Sequence, residues 1–180
     1  MGKELEVKIL NIDKKEIQNK LKEIGAELIK DEYQKNIVID GKDDFIENTL
    51  NGYLRIRSKT NRLNNESKSI VTLKQILSED KYRENKEIET EIKDSQSMLD
   101  IFKILGLDIK YIGYKERISY KYDNILFEID TWDENTYPEP YMEIEVVTDQ
   151  DLDRALELLD IDKDSITTKS ISELRREKGL

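Results

Sequence analysis

The sequence has neither a cysteine nor a histidine among its 180 residues. Without thiols there is no disulfide framework and no thiolate metal site. Without imidazole there is no histidine triad, no histidine general base and no zinc site of the usual kind. A resident metal must then be a hard ion held by oxygen, such as Mg²⁺ or Mn²⁺. Long apolar runs and a secretory leader are also missing, which gives the expectation of a soluble cytoplasmic protein with no membrane partner. Net positive charge is lacking as well. A formal charge of −10 argues against a nucleic-acid polymer as partner. It leaves room for a small anion, because Arg and Lys gathered in a cleft outweigh the net charge locally.

What the chain does have is charge of both signs: 39% of residues are charged and 37% apolar. The length suits one domain over 1–180. Apolar periodicity persists almost from end to end, which sets disorder aside. With so few apolar residues, the core must be economical or part of the interior must be charged.

The first strand shows which. Glu4, Glu6 and Lys8 alternate with Leu5, Val7 and Ile9, so one face is charged and the other apolar. Asp13 and Glu16 read as a capping box for a helix carrying Ile17, Leu21 and Ile24, closed by Gly25. A strand is expected from Leu28 to Asp40 and a loop from Gly41 to Asn51. The acids Asp40, Asp43, Asp44 and Glu47 do not fit the EF-hand spacing. Further strands are expected over Tyr53–Ser58 (with Arg55 and Arg57 on one face), Ile70–Ile76 (with Lys74) and Asn85–Lys93 (with Glu87, Glu89 and Glu91). A helix from Ser95 to Leu105 should bury Met98, Ile101, Phe102 and Leu105. Strands then follow at Lys110–Lys121 with Lys115 and Arg117, at Ile125–Trp132 with Glu128 and Asp130, and at Tyr141–Val147 with Glu143 and Glu145. A helix from Thr148 buries Leu152, Ala155, Leu156 and Leu159, and Ser170–Lys178 closes the chain.

Taken singly, each charged face reads as an ordinary wet edge. The recurrence on six or seven strands points elsewhere. Eight mostly antiparallel strands suffice for a barrel whose interior holds side chains or one small ligand. Amphipathic helices can cover the apolar faces only from outside, which leaves the charged faces in the lumen. The expected fold is therefore α+β: an eight-stranded antiparallel β-barrel with a charged lumen and helices packed outside. Basic lumen candidates are Lys8, Arg55, Arg57, Lys74, Lys115 and Arg117. Acidic ones are Glu4, Glu6, Glu87, Glu89, Glu128, Asp130, Glu143 and Glu145. Arginine forks take phosphate oxygens in pairs, and carboxylates two apart on a strand can share a hard cation. A lining of both signs suits a polyphosphate with bound metal.

These residues resemble the CYTH superfamily, the triphosphate tunnel metalloenzymes, which include class IV adenylyl cyclases, thiamine triphosphatases and inorganic triphosphatases. The resemblance rests on Glu4-x-Glu6-x-Lys8, Leu54-Arg55-Ile56-Arg57, Thr72-Leu73-Lys74, Glu87-x-Glu89, Lys115-x-Arg117, Asp130, Glu143-x-Glu145 and Lys169-Ser170, in the family order. It implies a tunnel in which Lys8, Arg55, Arg57, Lys74, Lys115, Arg117 and Lys169 bind the phosphates of a triphosphate substrate. It also implies that Glu4, Glu6, Asp130, Glu143 and Glu145 hold Mg²⁺ or Mn²⁺, with Glu87, Glu89 and Glu128 alongside. Glu4, Glu6, Lys74 and Asp130 become the candidate catalytic residues. Two departures matter. Where many members have Asp-x-Tyr-Phe-Asp, this chain reads Asn36-Ile37-Val38-Ile39-Asp40. It also lacks the His-Phe pair linked to adenine recognition in bacterial class IV cyclases.

The leading expectation is thus a metal-dependent triphosphatase, followed by an adenylyl cyclase and then a non-catalytic polyphosphate-binding module. The full acidic set counts against the last, since binding alone needs the basic residues more. Trp132 and the Tyr137–Tyr141 segment are candidates to stack on a base, and the assembly expected is a monomer or homodimer.

Overall fold

A computed structural model describes residues 5–78 and 84–180. In chain order the elements are β1 (Leu5–Leu10), α1 (Lys14–Glu23), β2 (Glu27–Gly41), α2 (Phe45–Leu50), β3 (Gly52–Asn61), β4 (Glu66–Ser78), β5 (Glu84–Ile92), α3 (Ser95–Ile104), β6 (Leu107–Tyr122), β7 (Ile125–Trp132), β8 (Tyr141–Val146), α4 (Asp149–Leu159), β9 (Ile166–Thr167) and α5 (Ile171–Lys178). The fold is α+β, with a nine-strand antiparallel sheet in the order β5-β4-β3-β2-β6-β7-β8-β1-β9 and five helices.

The sheet is strongly curled. Between β4 and β1 lie six strand spacings, about 29 Å if the sheet were flat. Yet Lys74 Nζ on β4 stands 3.7 Å from Glu6 Oε2 on β1. Two side chains span what remains only if the sheet wraps most of the way round. The expected eight-stranded antiparallel barrel is seen in part, as a nine-strand antiparallel sheet. Among the described residues no ladder joins β5 to β9, and closure is not detected. The ninth strand is a two-residue segment paired to β1 at Lys8 and Ile9, too short to announce itself by alternation.

Strand alternation sorts residues between the two faces. Val7, Ile9, Phe127, Ile129, Met142 and Ile144 point outward and pack under α1 and α4. The expected α4 stripe of Leu152, Ala155, Leu156 and Leu159 is fully buried there. A second core joins Ile37, Ile39, Leu54 and Ile56 to α2 and to Met98, Leu99 and Phe102 of α3. Here the expected stripe shifts: Ile101 and Leu105 are exposed and Leu99 takes their place inside. The segment expected as a loop contains α2, six residues entered through Asp43 and Asp44 in the left-handed region. That is too short for helical periodicity to show.

Capping follows local chemistry. Asp13 accepts from the backbone of Lys15 and Glu16 and opens α1. The reciprocal capping box forms instead at α5, between Ser170 and Glu173. Gly25 and Gly106, after α1 and α3, adopt φ of +81° and +84°, the left-handed closure that glycine takes without strain.

Candidate functional site

The concave face encloses a cavity of about 980 Å³. One wall comes from β3, where Leu54 and Ile56 enter the outer core and the intervening Arg55 and Arg57 must face in. In register, Asn36 of β2 lies opposite Arg57 and Val38 opposite Arg55. Arg57 Nε donates to Asn36 Oδ1 at 2.9 Å. Arg55 Nη1 donates to Tyr53 Oη at 3.3 Å, with its guanidinium 5.3 Å from the Tyr53 ring centre. Among the described residues, neither arginine forms an ion pair with a carboxylate. Burial, then the neighbouring Arg55 and Arg117, push the Arg57 guanidinium down to about 10, so it stays charged at neutral pH. Burial alone would raise the Tyr53 phenol, but Arg55, Lys74 and Arg57 outweigh it and hold the group below its ordinary value.

The strands β6, β7 and β8 line the cavity differently. Arg117 on β6 donates to Asp130 Oδ1 from Nε at 2.7 Å and to Asp130 Oδ2 from Nη2 at 2.6 Å, and it reaches Glu143 at 2.5 Å and Glu128. Lys115 donates to Asp130 Oδ2 at 2.7 Å and lies 4.9 Å above the Trp132 ring. Tyr141 donates to the same oxygen at 2.9 Å and accepts from Trp132 Nε1. Asp130 is 0% exposed, and only this ring of donors permits a buried carboxylate. Burial works against its charge, but Arg117 and Lys115 hold it below the usual range. Burial likewise opposes ionisation of Glu143, and Lys8 and Arg117 hold it well below that range. For Arg117, burial is overcome by Asp130 and Glu143, which keep it well above its ordinary value. Lys115 goes the other way: burial and the adjacent Arg117 push it down to about 7 despite Asp130.

At the seam, Lys8 pairs with Glu6 and stands 3.3 Å from Glu143, while Lys74 stands 2.7 Å from Glu87. Burial would lower Lys74, but the Tyr53 phenol, Glu6 and Glu87 hold it above the ordinary lysine value.

Three carboxylates at and beneath the cavity floor converge as a candidate cation site, although Glu128 already accepts from Ser119 and Arg117, and Glu143 from Arg117. Glu128, Glu143 and Glu145 each place a carboxylate oxygen within 4.8 Å of the others, an all-oxygen donor set suited to Mg²⁺ or Mn²⁺. Asp40, Asp44 and Glu47 also converge, but their roles are structural. Asp40 Oδ1 accepts from the backbone N–H of Gly41 and Ile46, at 2.6 and 2.7 Å. Lys110 meets Asp44 and Glu47, and Arg176 meets Glu47.

The sequence candidates distribute as follows. Glu6, Lys8, Arg55, Arg57, Lys74, Lys115 and Arg117 line the cavity with Glu87, Glu89, Glu143 and Glu145. Glu128 and Asp130 lie beneath, buried under their partners. Glu4 falls outside the described residues. Lys169 is not among the residues lining the cavity; it is exposed and paired to Glu177 at 2.5 Å. Trp132 and Tyr141 both line the cavity; Tyr141 is buried, and its hydroxyl is engaged by Trp132 and Asp130. Asn36, Tyr53, Tyr111 and Arg176 also line the cavity; the strand alternation that exposed the charged residues would have flagged Asn36 and Tyr53 had neutral polar residues been counted.

Comparison with known proteins follows this geometry. The CYTH domain model matches residues 2–175. A Methanocaldococcus jannaschii protein named "Putative adenylate cyclase MJ0240" is 32% identical over 96% of this chain and 98% of its own length. The structure of PH1012 from Pyrococcus horikoshii superposes with a TM-score of 0.75 at 25% identity, covering 95% of this chain and 98% of that one. A Hippeastrum protein, HpAC1, named as a putative adenylyl cyclase with a dominant triphosphatase activity, shares the fold at a TM-score of 0.62 and 15% identity, covering 100% of this chain and 89% of its own. With a family model spanning nearly its whole length, the chain belongs to the CYTH family.

Proposed function

We propose that this protein is a divalent-metal-dependent triphosphatase acting on inorganic triphosphate or a nucleoside triphosphate within the curled sheet. One observation carries this: among the described residues, Arg55 and Arg57 line the cavity without an ion-paired carboxylate, while Glu128, Glu143 and Glu145 converge on the same concave face. A buried guanidinium without a counter-charge is costly to keep. An anion from outside supplies that counter-charge, and the guanidinium fork suits phosphate oxygens. Arg55 and Arg57 would grip the phosphate chain, with Lys74 and Lys8 adding charge from the seam. Arg117, saturated by three carboxylates, orients Glu128, Glu143 and Asp130 rather than binding phosphate directly. Glu128, Glu143 and Glu145 would hold the cation. When bound, the ion supplies Lewis-acid neutralisation of the phosphate oxygens. The chain's own part is to fix the phosphates against buried donors where charge develops as the phosphoanhydride breaks.

The second reading, cyclisation of ATP to cyclic AMP and pyrophosphate, is favoured by the 32% identity to a protein named as a putative adenylate cyclase. The absence of histidine counts against it. Purified protein incubated with Mg²⁺ or Mn²⁺ and either tripolyphosphate or ATP separates the two. Orthophosphate from tripolyphosphate, or ADP and orthophosphate from ATP, is the expected result. Cyclic AMP with pyrophosphate would establish the second reading instead.

A further inference from the structure

Asn36 is 0% exposed yet lines the cavity, and among the described residues its amide nitrogen has no hydrogen-bond partner. Its orientation is fixed chemically. Arg57 Nε can only donate, so the atom it meets at 2.9 Å must be the carboxamide oxygen. The NH₂ group is thereby turned away from Arg57 with its protons unspent. Beside it, Arg55 Nε is also buried without a partner. Two donors on one wall that find no hydrogen-bond partner among the described residues, beside guanidinium groups with no directly paired carboxylate there, call for an acceptor. A buried donor left unsatisfied costs about 1–3 kcal/mol, so such donors in a native wall call for an explanation.

The residue type matters too. Arg117 is held in place by carboxylates that cancel its charge. Arg57 is held by a neutral amide that accepts one hydrogen bond and cancels nothing. A carboxylate at position 36 would anchor Arg57 equally well while neutralising it and offering no donor.

We propose that Asn36 is a substrate-binding residue, anchoring Arg57 through its oxygen and donating its amide hydrogen to an oxygen of the phosphate chain gripped by Arg55 and Arg57. The inference rests on the triphosphate reading of the cavity and adds a neutral residue to its binding set. Asn36 recognises the anion by its acceptor oxygens, and its lack of charge leaves Arg57 available to the same anion.

Two substitutions test this, with tripolyphosphate affinity measured calorimetrically on the full chain without metal and thermal melts run on the same samples. Asn36→Ala removes anchor and donor. Asn36→Asp keeps the anchor, removes the donor and is nearly isosteric, which guards against a folding defect. Direct donation predicts that both variants lose at least tenfold in affinity, as for a hydrogen bond to a charged group, with melts of Asn36→Asp close to wild type. Unchanged affinity in Asn36→Asp would leave only the anchoring role and overturn the proposal. Unchanged affinity in Asn36→Ala would reduce any loss in Asn36→Asp to charge repulsion and overturn it as well. Failure of the wild-type protein itself to bind tripolyphosphate would sink the triphosphate reading along with this inference, an outcome distinct from the other two.

Discussion

Asp130 is a candidate metal ligand by family resemblance, but its surroundings make it a structural keystone whose removal should unfold the protein earlier. Both carboxylate oxygens are occupied, by Lys115, by two nitrogens of Arg117 and by the Tyr141 hydroxyl. Replacing it with Asn in Asp130→Asn leaves two buried cations short of a counter-charge and turns an NH₂ group toward other donors. Breaking a buried ion pair by neutralising one partner costs about 3–5 kcal/mol. At about 2–4 °C per kcal/mol for a domain of this size, the melting temperature should fall by about 6–20 °C. The assay is a circular-dichroism or calorimetric melt in buffer free of divalent metal. If Asp130 instead served only as a metal ligand, its charge would be repelled by Glu128 and Glu143 in the metal-free protein, and Asp130→Asn would raise the melting temperature. A stable or stabilised variant would therefore refute the structural assignment.

Other outcomes follow from the same geometry. Arg57→Ala should raise the KM for tripolyphosphate by one to two orders of magnitude, roughly the worth of a charge-assisted bond or two, and an unchanged KM in steady-state kinetics would place the side chain outside the substrate site. Glu145→Gln should abolish metal-dependent turnover while melting like wild type; wild-type rates would remove it from the metal set. Lys169→Ala should leave KM within about twofold, since its ammonium is exposed and paired to Glu177, and a large KM increase would return it to the phosphate-binding group. Asp130 and Glu143 both titrate below their unfolded values of 3.8 and 4.5. The stability they contribute is present above those values and lost as pH falls through the lower folded ones. Melting temperatures should fall steeply below about pH 4, more steeply in wild type than in Asp130→Asn; parallel acid limbs would contradict this.

Much of the lumen was legible because a strand repeats every two residues. Glu6 and Lys8, Arg55 and Arg57, and Glu143 and Glu145 each declare their face through the apolar residues between them. Less legible was the division of labour among the cations. Nothing local distinguishes Arg57, held by an amide, from Arg117, held by three carboxylates; that difference comes from strands far apart in sequence. Asn36 escaped notice because a neutral polar residue in a strand carries no charge signal. The direction of Lys169 was not legible because it is set by the loop entering α5, where its ammonium meets Glu177. Sheet closure depends on how the edge strands meet, which hydrophobic alternation within one strand does not encode.

On this account the phosphate chain lies on the Arg55–Arg57 wall, with the carboxylates of β7 and β8 holding the cation. A crystal structure of the protein with tripolyphosphate and Mn²⁺ tests it directly. The account predicts phosphate density within hydrogen-bond reach of both guanidinium groups and of the Asn36 amide, and an anomalous manganese peak beside Glu143 and Glu145. Phosphate density seated on Arg117 and Lys115 instead, with Arg55 and Arg57 bare, would contradict it.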